Sequence, residues 1–106
     1  MIISSKNFKL TPSITTYVET KLSPLNKISR QPISKIKVRL DFDRNQRSGD
    51  IYRVEGSVVW LGKIYKAGEK AQDIHEAIDL VKEKLERQLR DAKEIWLSKR
   101  AGHHGL

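Results

Sequence analysis

The sequence predicts an α+β domain in which a four-stranded mixed sheet carries two helices on one face, in the order β-α-β-β-β-α. Three observations carry that prediction. Apolar residues recur at a helical period after Thr11, at a period of two from Ile33, and at a helical period again after Asp73. Capping and turn residues, Thr11-Pro12, Gly62-Lys63 and Asp73, punctuate these segments. The chain has 106 residues, enough for one compact core and too few for two.

Each element has its own local signal. Ile2 and Ile3 open a short strand to about Lys6, and Asn7 to Leu10 is a connector. Thr11 can cap a helix whose first position is Pro12, where a missing N–H costs nothing. Ile14, Tyr17, Val18, Leu22 and Leu25 then mark one apolar face through roughly Leu25, with Pro24 limiting or kinking the last turn. From Ile33, residues Ile36, Val38, Leu40 and Phe42 point one way, and Lys35, Lys37, Arg39 and Asp41 the other, as in a strand with one wet, basic face. Arg44 to Asp50 is a polar loop. Ile51 to Leu61 follows as a strand, with Tyr52, Val54, Val58 and Trp60 on one face. A tight turn at Gly62-Lys63 leads into a third strand of this hairpin region, about Ile64 to Lys70. Asp73 and Glu76 have the spacing of a capping box. They start the longest periodic segment, with Ile74, Ile78, Val81, Leu85, Leu89, Ala92 and Trp96 on one stripe. After Leu97 the pattern stops, so residues 1–97 read as the domain and 98–106 as a flexible tail. A crossover helix after the first strand favours parallel pairing of the first two strands, and the other pairs should be antiparallel.

Composition bounds the function. At 38% hydrophobic and 32% charged residues the chain can fold, yet no apolar run approaches the roughly 18 residues of a membrane span. The N-terminus lacks the order of a secretory signal, so a cytoplasmic location is expected. The absence of cysteine excludes disulfides, thiolate nucleophiles and Cys-ligated metals. Twenty-one Lys and Arg against thirteen Asp and Glu leave a net charge of +8, which favours a polyanionic partner. The surplus lies early: ten basic and four acidic residues in 1–50, four and two in 51–71, seven and seven in 72–106.

Two segments carry a resemblance. QDIHEAIDLVKEKLERQLR (residues 72–90) joins an acidic cap, an AID core and a KLERQL segment, and LTPSITTYVETKLSPLNKI (residues 10–28) opens with a Thr and continues into a K-L-x-x-L ending. Together they resemble the ribosome hibernation promoting factors, the family that includes ribosome-associated inhibitor A, or protein Y. The likeness covers about residues 1–97 and fits a short form or an N-terminal domain. His75 stands where the family usually has Tyr. The resemblance implies a non-enzymatic factor that binds the decoding region of the small ribosomal subunit, overlaps the messenger and transfer RNA paths, and inhibits translation by occupancy. It also allows other hibernation factors as partners.

Candidate RNA contacts follow from both sources. Lys35, Lys37 and Arg39 project from one strand face about 7 Å apart, near the spacing of phosphates along a strand. A solvated, aggregation-resistant face would look the same. Lys82, Arg90 and Lys93 share a flank of the second long helix, where pairs four residues apart such as Glu86-Arg90 could be purely intrahelical. The KLERQL resemblance moves Lys84, Arg87 and Arg90 toward ribosomal RNA, and Lys21 falls within the other matching segment. Trp60 and Trp96 lie on core faces and are expected to pack rather than stack on bases. His75-Glu76 lacks the further ligands of a zinc site, and the tail pair His103-His104 could bind metal only incidentally. No metal, cofactor loop, small-molecule substrate or catalytic constellation is expected. The competing reading is a general double-stranded RNA binder, and a small RNA-processing enzyme stands third.

Overall fold

The computed structural model describes residues 1–28, 33–43 and 51–102. The elements are β1 (Ile2–Lys6), α1 (Pro12–Leu22), α2 (Leu25–Ile28), β2 (Lys35–Asp43), β3 (Ile51–Trp60), β4 (Lys63–Ala71) and α3 (Ile74–Gly102). The strands form one sheet in the order β1-β2-β3-β4. β1 runs parallel to β2, and both later pairs are antiparallel. This is the predicted mixed sheet with its helices on one face. The loop Arg44 to Asp50 and the pair His103-His104 lie outside the described residues.

Alternation explains the layers. Ile36, Val38 and Leu40 of β2 and Val54, Gly56, Val58 and Trp60 of β3 point inward and are buried, and each intervening residue of β2 and β3 faces away from the helices. Against this inner face pack Ile74, Ala77, Ile78, Val81, Leu85 and Leu89 of α3, with Val18, Leu22 and Leu25 of α1 and α2, in one continuous core. Trp60 is 1% exposed and meets the half-buried Trp96 edge-on at 6.2 Å, so both tryptophans belong to the packing. Gly56 sits directly beneath Val81 and Leu85 of α3. A Cβ there would lie 2.8 Å from Val81 Cγ1 and 3.0 Å from Leu85 Cδ1.

Local chemistry sets the ends. Thr11 Oγ1 accepts from the Ile14 N–H at 3.2 Å, with Pro12 in the first helical turn. The first helix stops at Leu22 because Pro24 has no N–H to continue it, and Leu25–Ile28 resumes as a single turn that keeps Leu25 in the core. At the start of α3, Asp73 Oδ1 accepts from the His75 N–H at 3.0 Å. The expected capping box is half made, since Glu76 forms no return bond among the described residues.

Two boundaries differ from expectation. The helix continues beyond Leu97 to Gly102. Extending a formed helix fixes one residue per new hydrogen bond, so it outlasts the apolar stripe until a glycine. The hairpin turn is Leu61-Gly62, one residue earlier than predicted: Leu61 has φ 51° and Gly62 φ 77°, and Trp60 pairs with Lys63. Two successive positive φ values match strand twist, and glycine suits the second position. No described helix is long and apolar enough to cross a membrane.

Candidate nucleic-acid interface

The outward face of the sheet is uncovered by any described element, and the strand register arranges it in rows. One row runs Lys6, Asp41, Arg53, Lys70; the next Ser4, Arg39, Glu55, Gly68; the next Ile2, Lys37, Ser57, Lys66; and the last Lys35, Val59, Ile64. Along each strand these positions repeat about every 7 Å, and neighbouring strands lie about 4.8 Å apart. The face thus presents Lys6, Lys35, Lys37, Arg39, Arg53, Lys66 and Lys70 against Asp41, Glu55 and, opposite Ile51 at the end of β2, Asp43. None of these seven cations makes an ion pair or side-chain hydrogen bond with a described residue. Asp41 is occupied locally, accepting from Asn7 Nδ2 at 3.0 Å and from the Phe42 N–H at 2.8 Å.

The helical layer is built differently. Lys21 Nζ lies 3.6 Å from Asp79 Oδ1 and 5.5 Å from the centre of the Tyr17 ring. The Tyr17 hydroxyl donates to Asp79 Oδ1 at 2.7 Å, and His75 packs edge-on against Tyr17 at 4.5 Å. The hydrogen bond to the Asp79 carboxylate, followed by burial and nearby negative charge, pushes the Tyr17 pKa up to about 12. Lys82 pairs with Glu86, and Arg90 Nη2 donates to the same carboxylate at 2.8 Å. These two partners, Lys82 first, hold the Glu86 carboxyl below the usual carboxylate range. Lys84 reaches Glu69 of β4. Arg87 is exposed and makes no ion pair among the described residues, and Lys93 is half-buried. Over α1, α2 and α3 with the cap Asp73, the described side chains carry Lys21, Lys27, Lys82, Lys84, Arg87, Arg90, Lys93 and Lys99 against an equal number of carboxylates.

The nine cations nominated from sequence therefore divide among separate surfaces. Lys35, Lys37 and Arg39 share the open sheet face. Lys21, Lys82, Arg90 and Lys93 belong to the helical layer, Lys84 turns toward the β4 edge, and Arg87 faces outward. Lys6, Arg53, Lys66 and Lys70 were missed. Their charge was visible, but only the pairing register sets them beside Lys37 and Arg39. Alternation within Ile64 to Lys70 was the available signal, because it puts Lys66 and Lys70 on one face.

Fold and charge define the class first: a β-α-β-β-β-α domain with one face of its sheet buried under helices and the other basic and uncovered by any described element. The chain belongs to the Sigma 54 modulation protein / S30EA ribosomal protein family, whose model matches residues 1–95. It is 35% identical over 94 residues to a ribosome hibernation promotion factor of Picosynechococcus, covering 89% of this chain and 49% of that protein. It is 36% identical over 101 residues to a ribosome hibernation promotion factor of Deinococcus radiodurans, covering 92% and 51%. The chain thus spans about half the length of the curated relatives it matches. Among solved structures it is similar to the N-terminal domain of Thermus thermophilus protein Y, with a TM-score of 0.66 and 24% identity over 84% of this chain and 92% of that one. That likeness speaks for the fold alone.

Proposed function

We propose that this domain binds the small ribosomal subunit in its decoding region, lies across the paths of messenger and transfer RNA, and keeps ribosomes translationally silent by occupancy. The observation that carries this reading is the bare sheet face, where seven cations stand without described partners. Exposed cations at strand spacing suit a phosphate backbone. Each neutralised phosphate releases counterions, so binding is driven by salt-sensitive electrostatics and recognises shape before base sequence. Family membership and the names of the two relatives support a ribosomal target over an arbitrary duplex.

In this reading Lys35, Lys37 and Arg39 make the principal RNA contacts. Arg87 and Lys93 add to them from the helical side, and Lys21, Lys82, Lys84 and Arg90 contribute less because carboxylates already engage them. No bond is made or broken, no cofactor takes part, and the site of action is the cytoplasm. Other hibernation factors are natural partners on the same particle.

The test is co-sedimentation with separated small and large subunits, with transfer RNA as competitor and cell-free translation run in parallel. Saturable small-subunit binding opposed by transfer RNA, with translation inhibited, is the expected result. Equal binding to plain RNA duplex would instead assign a general double-stranded RNA binder.

A further inference from the structure

At the centre of the open face lies a trough of about 590 Å³, within the size range of small-ligand sites. Ser57 and Gly68 leave its floor low, and Lys37, Arg39, Glu55 and Lys66 stand around it. Two features need explaining.

The first is Gly68. Its φ lies outside the left-handed region, and a Cβ there would meet only Glu55 Cγ at 3.7 Å and the Val54 carbonyl oxygen at 3.8 Å, both ordinary contacts. Glycine in a strand interior sacrifices packing and backbone entropy, and it often marks a site of close approach by a ligand. Unlike Gly56, this glycine answers no demand of the fold. What it provides is space.

The second is Glu55. It is exposed on a face otherwise suited to phosphates, which it repels, and it makes no ion pair or hydrogen bond with a described residue. Arg39 is its direct cross-strand neighbour, yet no salt bridge joins them. An unengaged carboxylate amid cations suits a ligand that pairs negative charge with a donor edge. Among the bases, guanine alone presents two adjacent donors, N1–H and the 2-amino group, matching the two oxygens of a carboxylate. A phosphate attached to the same nucleoside would fall to Lys37, Arg39 or Lys66.

We propose that the Ser57-Gly68 trough takes one unstacked guanine nucleotide, with Glu55 accepting from its Watson–Crick edge and the surrounding cations holding its phosphate. The inference rests on the RNA-binding reading and adds base selectivity to it. A guanosine splayed from single-stranded RNA and a free guanine nucleotide share this chemistry.

Fluorescence anisotropy with short single-stranded RNAs decides the matter, comparing oligoadenosine with the same oligomer carrying one central guanosine or inosine, and GMP as competitor. The unaltered protein should prefer the guanosine oligomer over oligoadenosine by about tenfold, with inosine between them because it lacks the 2-amino group. Glu55→Gln should abolish that preference while oligoadenosine binding stays equal or rises. Gly68→Val, which plugs the trough with a strand-favouring side chain, should abolish it with an unchanged melting temperature, and Gly68→Ala serves if the valine variant fails to fold. Competition by GMP at the concentrations effective for the guanosine oligomer would identify the free nucleotide as the ligand, and failure of GMP would identify RNA. Equal binding of all three oligomers, or a preference that survives Glu55→Gln, would overturn the proposal. Small-subunit co-sedimentation that persists in that case would leave the ribosomal reading standing, so the two can fail separately.

Discussion

The two faces of this sheet treat charge in opposite ways. Among the described side chains of the helical side, cations and carboxylates are equal in number, and several cations meet acids: Lys21 with Asp79, Lys82 and Arg90 with Glu86, Lys84 with Glu69 of β4. On the open side cations outnumber acids and make no described pair. A charge engaged by a neighbour gives up that interaction when it turns to an RNA phosphate, whereas an unengaged one gives up only its water and counterions. The helical layer therefore resembles a surface settled for stability, and the sheet a surface held open for a partner. An abundance of Lys and Arg in a segment is a weak guide to binding until their partners are known.

Charge reversal is the most direct way to break that comparison. Lys35→Glu, Lys37→Glu and Arg39→Glu together should weaken small-subunit binding by about 100-fold and lower the slope of log K against log salt by about three. The matching triple at Lys84, Arg87 and Arg90 should cost about tenfold or less, because only Arg87 lacks a described carboxylate partner. Co-sedimentation over a salt series measures both, and equal losses would erase the distinction between the faces.

The two glycines sharpen it next. Gly56→Ala should destabilise the fold by about 1 to 3 kcal/mol in urea unfolding, since its Cβ would press on Val81 and Leu85. Gly68→Ala should change stability by no more than about 0.5 kcal/mol.

Within the helical layer, Tyr17→Phe should cost about 1 kcal/mol by removing the hydroxyl donated to Asp79. Its pH dependence has a definite sign. The folded pKa, about 12, lies above the ordinary value of 10.0, so the stabilisation is complete below pH 10 and is lost as pH rises toward 12. Denaturation at neutral and strongly alkaline pH should show the gap between Tyr17→Phe and the parent closing.

The smallest effect belongs to the hairpin tip. Leu61 has φ 51°, a conformation Asn tolerates better than Leu, so Leu61→Asn should raise stability by about 0.5 kcal/mol without altering RNA binding.

Much of this molecule was legible in advance. Period and capping residues located all four strands and both long helices, because alternation and the 3.6-residue stripe follow from backbone geometry acting over a few neighbouring residues. The same local logic placed Lys35, Lys37 and Arg39 on a wet face and Trp60 in the core, and the charge surplus was correctly located outside the last third of the chain. Local pattern was weaker at boundaries. It ended the last helix at Leu97, since an apolar stripe records what a helix packs against and not how far the helix runs, and it set the hairpin turn one residue late.

That single residue matters for the site. A turn at Gly62-Lys63 would set Glu55 opposite Lys70, an opposite-charge pair, whereas the turn at Leu61-Gly62 sets it opposite Gly68 and leaves its carboxylate unengaged. The sequence by itself determined the elements, the buried faces and the sign of the net charge, because each depends on residue type and short-range spacing. Only the tertiary structure decided which cations stand together and which are already neutralised. Strand register and helix crossing join residues as distant as Lys6 and Lys70, or Lys84 and Glu69, and pairing between elements follows how whole faces pack, which no local period records.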